Sequence, residues 1–143
     1  MALLQGREAV MRHFRPLLSD HDITEQQWRV LRALAAADQP LTVGDVAEQT
    51  FLLGPSLSRI AATLQQRSLI ERTTSATDQR RSNLSLTPNG RNLVNQVAPH
   101  SESVYRQIET SFGPMRLNQL LGELHDLTAA LSPSNSGPSP PTS

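Results

Sequence analysis

The 143-residue sequence contains no cysteine and no lysine, and its thirteen basic and thirteen acidic residues cancel. Without cysteine there can be no disulfide, thiolate metal site, cysteine nucleophile or direct thiol redox switch. Without lysine every basic residue is arginine, whose planar fork suits phosphate and guanine edges better than a point charge does; a compositional bias of the source genome would give the same count. Zero net charge removes any global basic field that would advertise nucleic acid. No apolar run approaches the roughly 18 residues needed to span a bilayer, and the first residues lack a signal-peptide pattern, so a cytoplasmic protein with no membrane partner is expected. Enzyme signatures are missing as well: there is no G-x-S-x-G elbow, phosphate-binding loop or dinucleotide fingerprint. His13, His21, His100 and His125 are scattered, with no His/Glu pair at metalloprotease spacing. His13 and His21, eight residues apart across Pro16, make a conceivable composite metal site, but the expectation is no catalytic residue, no metal and no cofactor.

The length allows about one domain with one good core. Its charges are unevenly spread: between Gly54 and Arg91 stand six arginines (59, 67, 72, 80, 81 and 91) against Glu71 and Asp78, a local balance of +4, so the remainder carries −4.

Leu3, Val10, Phe14 and Leu17 recur at a nearly heptad interval, the pattern of a helix burying one stripe, which Pro16 should bend or end. In "ITEQQWRVLRALAAA" Thr24 and Gln27 make a capping-box pair, and Trp28, Leu31, Leu34 and Ala35 share a face. Thr42 and Asp45 start a short helix after Pro40. Another begins at Pro55, with Leu57, Ile60, Ala61 and Leu64 on its apolar side. Two short helices joined tightly are a helix-turn-helix candidate. The period then changes: "LIERTT" and "SNLSL" read as paired strands, with Leu84 and Leu86 pointing one way and Asn83 and Ser85 the other. Thr87-Pro88 caps a further helix carrying Val94, Val97, Val104, Tyr105 and Ile108, and Pro114 opens a last one carrying Leu117, Leu120, Leu121, Leu124 and Leu131.

The fold expected is mainly α with a small β-wing: an N-terminal helix (1–23), a winged helix-turn-helix lobe (24–87), two C-terminal helices (88–131) and a Ser/Pro-rich disordered tail (132–143). The long apolar stripes of the first and last helices exceed what one domain can cover. Burial against a second copy is the economical solution; an intramolecular bundle is the alternative.

The helix from Pro55 presents Ser56, Ser58, Arg59 and Thr63, with Gln66, on or beside its non-core side. Short hydroxyls approach base edges and phosphates, and Arg59 can donate two parallel hydrogen bonds to guanine, as a recognition helix in a major groove requires. Polar residues opposite an apolar stripe also commonly face only water. The polar stretch "TDQRRSN" between the strands adds a second element, because a thin loop carrying arginine enters a narrow minor groove where a helix cannot. Arg80 is assigned there, oriented by Asp78, with Arg81 on a phosphate.

The segments "ITEQQWRVLRAL", "LTVGDVAEQT", "PSLSRIAATLQQRSLIER" and "DQRRSNLSLTPNG" resemble the MarR family of dimeric winged-helix regulators across roughly residues 3–131. More narrowly, "LLQGREAVMRHFRPLLSDHDITEQQWRVLR", "LLGPSLSRI" and "VYRQIETSF" are similar to the branch that represses homoprotocatechuate and 4-hydroxyphenylacetate degradation operons. The resemblance implies double-stranded DNA with a palindromic operator as partner and a homodimer formed by the first and last two helices. It places Ser56, Ser58, Arg59 and Thr63 in the major groove and Arg80, with Asp78, in the minor groove. It further implies a small phenolic or aromatic carboxylic acid effector bound between the dimer helices and the DNA-reading lobe, which points to Arg15, Trp28 and Arg29, with His13 and Met11 nearby. Arg15, Trp28 and His13 would supply the cation, ring wall and polar group that such an acid needs; against this, a large aromatic on a helix's apolar face is more often simply core, and Arg29 beside it is the kind of residue that faces only solvent. Three residues depart from the family pattern. Ser68 stands where a glycine usually ends the recognition helix, at roughly 1 kcal/mol if the backbone is left-handed. Pro99 predicts a kink in a long helix, and Gly54 replaces a larger basic residue.

The function expected is a repressor relieved by an aromatic acid. Its two recognition helices would sit about 34–36 Å apart, and the ligand would favour a spacing that misses the operator. A regulator of another aromatic-acid or efflux operon, or a ligand-binding or protein-interaction module that does not read DNA, are the alternatives.

Overall fold

The computed structural model describes residues 1–74 and 81–133. The elements are α1 (Ala2–Asp20), α2 (Glu25–Ala36), β1 (Leu41–Thr42), α3 (Val43–Thr50), α4 (Gly54–Gln66), β2 (Ile70–Thr74), β3 (Ser82–Leu86), α5 (Pro88–Phe112) and α6 (Pro114–Leu131). The chain divides into a compact unit Met1–Tyr105 and a second beginning at Arg106. The predicted DNA contacts Asp78 and Arg80, and residues 134–143 of the segment expected to be a disordered tail (132–143), lie outside the described residues.

Local chemistry sets most of the helix starts. Thr24 caps α2 and Thr42 caps α3, each hydroxyl accepting the N–H three residues on while Gln27 or Asp45 reaches back to the cap's own N–H. Each reciprocal pair satisfies two amides that the helix leaves orphaned. α4 starts at Gly54, one residue before the expected Pro55, with Leu53 as an N-cap that makes no side-chain bond. Pro16 does not end α1, which continues to Asp20; near the carboxyl end one missing amide removes a single rung and leaves the rest of the helix bonded. Pro99 likewise lies inside α5.

Three helix ends turn through left-handed residues, Phe51 (φ 56°) ending α3 among them. Asp22 (φ 53°) follows α1 and Ser68 (φ 57°) follows α4. Behind Ser68, the Leu69 N–H bonds the Leu64 carbonyl and the Ser68 N–H bonds the Gln65 carbonyl, the paired closure that normally uses glycine. The same pattern joins Ile23 to Leu18 and Asp22 to Ser19. Arg67 Nη1 donates to the Asp22 carbonyl at 2.6 Å, tying the two corners together.

The antiparallel sheet has the order β1-β3-β2, with Leu41 opposite Leu84 and Arg72 opposite Leu84 on the other side. Leu84 is fully buried and joins Val30, Leu31, Val46, Leu57, Leu64, Ile70 and Val97 in the core of the first unit. Thr87 fastens α5 to this lobe: its hydroxyl donates to the Ser68 carbonyl at 2.5 Å and accepts the Gly90 N–H at 3.0 Å. In the second unit Gly113 (φ 102°) makes the turn into α6, and the Arg116 guanidinium lies 4.3 Å over the Phe112 ring. No residue of α6 is buried.

Candidate nucleic-acid interface and ligand cavity

α4 rests on Leu57, Ala61 and Leu64, which are buried, with Ile60 partly so. At 100° per residue the opposite face centres near Arg59, with Ser56 and Thr63 on one flank and Ser58 on the other. Ser58, Arg59 and Thr63 are exposed and Ser56 is half-buried. The Thr63 hydroxyl donates to the Arg59 carbonyl, so it offers an external partner only acceptor capacity.

Beside α4 runs an open groove of about 630 Å³ lined by Thr42, Gly44 and Asp45 at the start of α3, Ser58 of α4, and Arg72, Arg81 and Ser82 at the base of the two strands. Hydroxyls and two guanidinium groups in one groove, against the one carboxylate of Asp45, form an anion-receptive surface. Thus Ser58 and Arg81, predicted separately, are brought together. Arg72 was not among the predicted contacts, because strand parity puts it on the same face as buried Ile70. It stands beyond the edge of the core, where that face opens into the groove.

A cavity of about 280 Å³ lies between α2 and α5, lined by Trp28, Arg32, Ala35 and Ala36 on one side and Val94, Ala98, Ser101, Glu102 and Tyr105 on the other. Trp28, 7% exposed, supplies an aromatic wall. Arg32 Nη1 donates to the Tyr105 hydroxyl at 3.1 Å, and the Tyr105 ring meets Phe14 of α1 edge-on at 4.9 Å between centroids. One cation, one phenol, one carboxylate and an indole face around a space of single-ring size are the groups that hold a small aromatic acid.

The predicted ligand residues separate within one chain. Trp28 lines this cavity. Arg15 lines a different groove at the α1–α2 corner, where its guanidinium pairs with Glu8 at 2.9 Å. Arg29 lines a third space with Arg32, Gln49 and Thr50, donates from Nη1 to the Thr50 carbonyl at 2.8 Å, and keeps a buried Nε without a hydrogen-bond partner. His13 is exposed on α1 and Met11 is half-buried. Arg32 was missed although its signal was available, four residues after Trp28 and therefore one turn along the same face. Tyr105 had been read only as part of an apolar stripe.

His21 lies 6.4 Å from His100 between ring centroids and has its Nδ1 3.0 Å from the Leu17 carbonyl. No group of three or more metal-ligating side chains occurs among the described residues, nor any helix long and apolar enough to cross a membrane.

A profile of the MarR family matches residues 21–81. The homoprotocatechuate degradative operon repressor of Escherichia coli is 39% identical over 129 residues, covering 90% of this chain and 86% of the relative. The crystal structure of NadR in complex with 4-hydroxyphenylacetate is 37% identical, with a TM-score of 0.75 over 88% of this chain and 89% of that one. The Staphylococcus aureus MepR–DNA complex aligns with a TM-score of 0.82 at 25% identity, covering 91% and 96% of the two chains. With its three-stranded wing, its helix-turn-helix and this similarity along nearly the whole length, the chain belongs to the MarR family of winged-helix transcriptional regulators.

Proposed function

We propose that this regulator is a homodimeric repressor of an aromatic-acid catabolic operon, of the homoprotocatechuate and 4-hydroxyphenylacetate type, and that the acid relieves repression. The observation that carries the ligand half is the cavity in which Trp28, Arg32 and Tyr105 converge, on a chain similar to a repressor named for homoprotocatechuate degradation and to a protein crystallised with 4-hydroxyphenylacetate. Arg32 takes the carboxylate, Trp28 covers the ring, and Glu102 or Ser101 accepts from a ring hydroxyl.

For the DNA half, the palindromic operator meets α4 in its major groove through Ser56, Ser58, Arg59 and Thr63. The wing residue Arg80, with Asp78, enters the minor groove, and Arg81 and Arg72 meet phosphates. Residues 24–87 are the reading lobe, and residues 1–23 and 88–131 supply dimer surface. Exposed Leu3, Leu4 and Val10 on α1, and Met115, Leu120, Leu121, Leu127 and Leu131 on α6, support that assignment, since apolar rows of this size are ordinarily covered. α2 carries both the cavity wall and Arg29, whose bond to Thr50 reaches the end of α3, so an acid between α2 and α5 acts on the element that precedes α4. It must bind the conformation that misses the operator more tightly, because equal affinity shifts nothing.

The test is a fluorescence-anisotropy titration of the protein against the DNA upstream of its own gene at fixed salt, with and without 4-hydroxyphenylacetate and homoprotocatechuate. Tight binding released by either acid is expected. Binding that neither acid alters removes the proposed effector and leaves control of another operon.

A further inference from the structure

The turn into the recognition helix is built against its own local preferences. Phe51, which ends α3, has φ 56° and ψ 28°, a left-handed conformation that costs a non-glycine residue roughly 1–2 kcal/mol. Helix-turn-helix turns commonly place glycine in such a corner. Phe51 is also 82% exposed, so its ring recovers nothing from burial. Two residues on, Leu53 is the N-cap of α4, a position where serine, threonine or aspartate would bond an orphaned amide; it makes no such bond and is 76% exposed. Leu52 between them is packed against the core, which holds its two neighbours outward on either side. Gly54 and Pro55 follow, with no polar side-chain group to offer.

Neither folding nor solubility accounts for a strained exposed phenylalanine next to an exposed leucine. What the two residues share is their place at the head of α4, in the turn that leads into Ser56 and Arg59. In a major groove the apolar feature of a base edge is the thymine C5-methyl group, and side chains without hydrogen-bonding atoms read it by contact. We infer that Phe51 and Leu53 form an apolar reading edge for thymine methyl groups in the operator, so that α4 selects thymine at its leading end and hydrogen-bonding bases further along. The inference rests on the reading of α4 as the recognition helix.

The experiment uses the full chain and the DNA upstream of its own gene prepared twice, once with thymidine and once with deoxyuridine. The second duplex lacks only the methyl groups and keeps every base-pair hydrogen bond. Wild-type protein is expected to bind the uridine duplex roughly tenfold more weakly, since each buried methyl contributes a few-fold and a dimer reads two half-sites. Leu53→Ala should bind the thymidine duplex more weakly than the wild type does and lose part of the difference between the two duplexes. Phe51→Gly should shift in the same direction while raising the urea midpoint, which separates a lost contact from a lost fold. Equal wild-type affinity for both duplexes, or variants that keep the full discrimination, would overturn the inference while leaving DNA binding intact. No binding to either duplex would instead defeat the reading on which the inference rests.

Discussion

Arg32 donates to the Tyr105 hydroxyl at 3.1 Å, joining α2 to α5 beside the cavity that Trp28 lines. Arg32 is therefore both the cation that the proposed acid would meet and a tether between two helices. A carboxylate in the cavity offers the guanidinium a charge-assisted partner stronger than the neutral phenol. Arg32→Ala should abolish release by 4-hydroxyphenylacetate while operator affinity without ligand stays within a few-fold. Tyr105→Phe should weaken the response less, by about tenfold in the concentration needed. An Arg32→Ala protein that the acid still releases normally would remove this cavity as the effector site.

Within the proposed DNA-facing surface, Arg59 occupies the centre of the exposed side of α4. Arg59→Ala should cost about 1–3 kcal/mol in operator binding and relax preference at one base position. Arg72→Ala should lower affinity almost equally for specific and unrelated duplexes and flatten the salt dependence by about one phosphate contact. An unchanged salt slope for Arg72→Ala would take it off the DNA.

Gly90 is required by proximity. A Cβ there would lie 1.9 Å from the Leu69 carbonyl oxygen, and the obstacle is backbone that cannot swing aside. Gly90→Ala should destabilise the first unit by about 3 kcal/mol, read as a lowered urea midpoint. A midpoint within experimental error of wild type would mean that α5 can pull away from the lobe without cost.

Ser68 holds a left-handed corner that glycine enters freely. Ser68→Gly should stabilise the protein by about 0.5–1 kcal/mol, because its backbone bonds remain and only the Cβ penalty goes. Loss of stability in that variant would show that the serine side chain contributes something its backbone geometry does not reveal.

Much of this architecture is written in short-range chemistry. Thr24 with Gln27 and Thr42 with Asp45 mark two helix starts because a capping box needs only residues three apart. Leu84, placed by alternation, enters the core as expected. Ser68 takes the left-handed turn that its position in the family pattern implied. Pro16 does not end α1, because a proline's effect depends on how much helix remains beyond it and only one turn follows.

The candidate sites divide along the same line. The sequence alone determined that α4 carries Ser58, Arg59 and Thr63 outward, since helical period and the apolar set Leu57, Ala61 and Leu64 leave them no other side. Only the tertiary structure decided the grouping of Trp28 with Arg32 and Tyr105 rather than with Arg15, His13 and Arg29. That choice depends on how α5 crosses α2, seventy-three residues later in the chain. It also decided that Arg29 is met by the Thr50 carbonyl, whereas Arg15 meets Glu8 two turns away on the same helix. Local pattern specifies which face of a helix a residue occupies; which other element meets that face is set by packing between distant segments, and a binding cavity is made of such meetings.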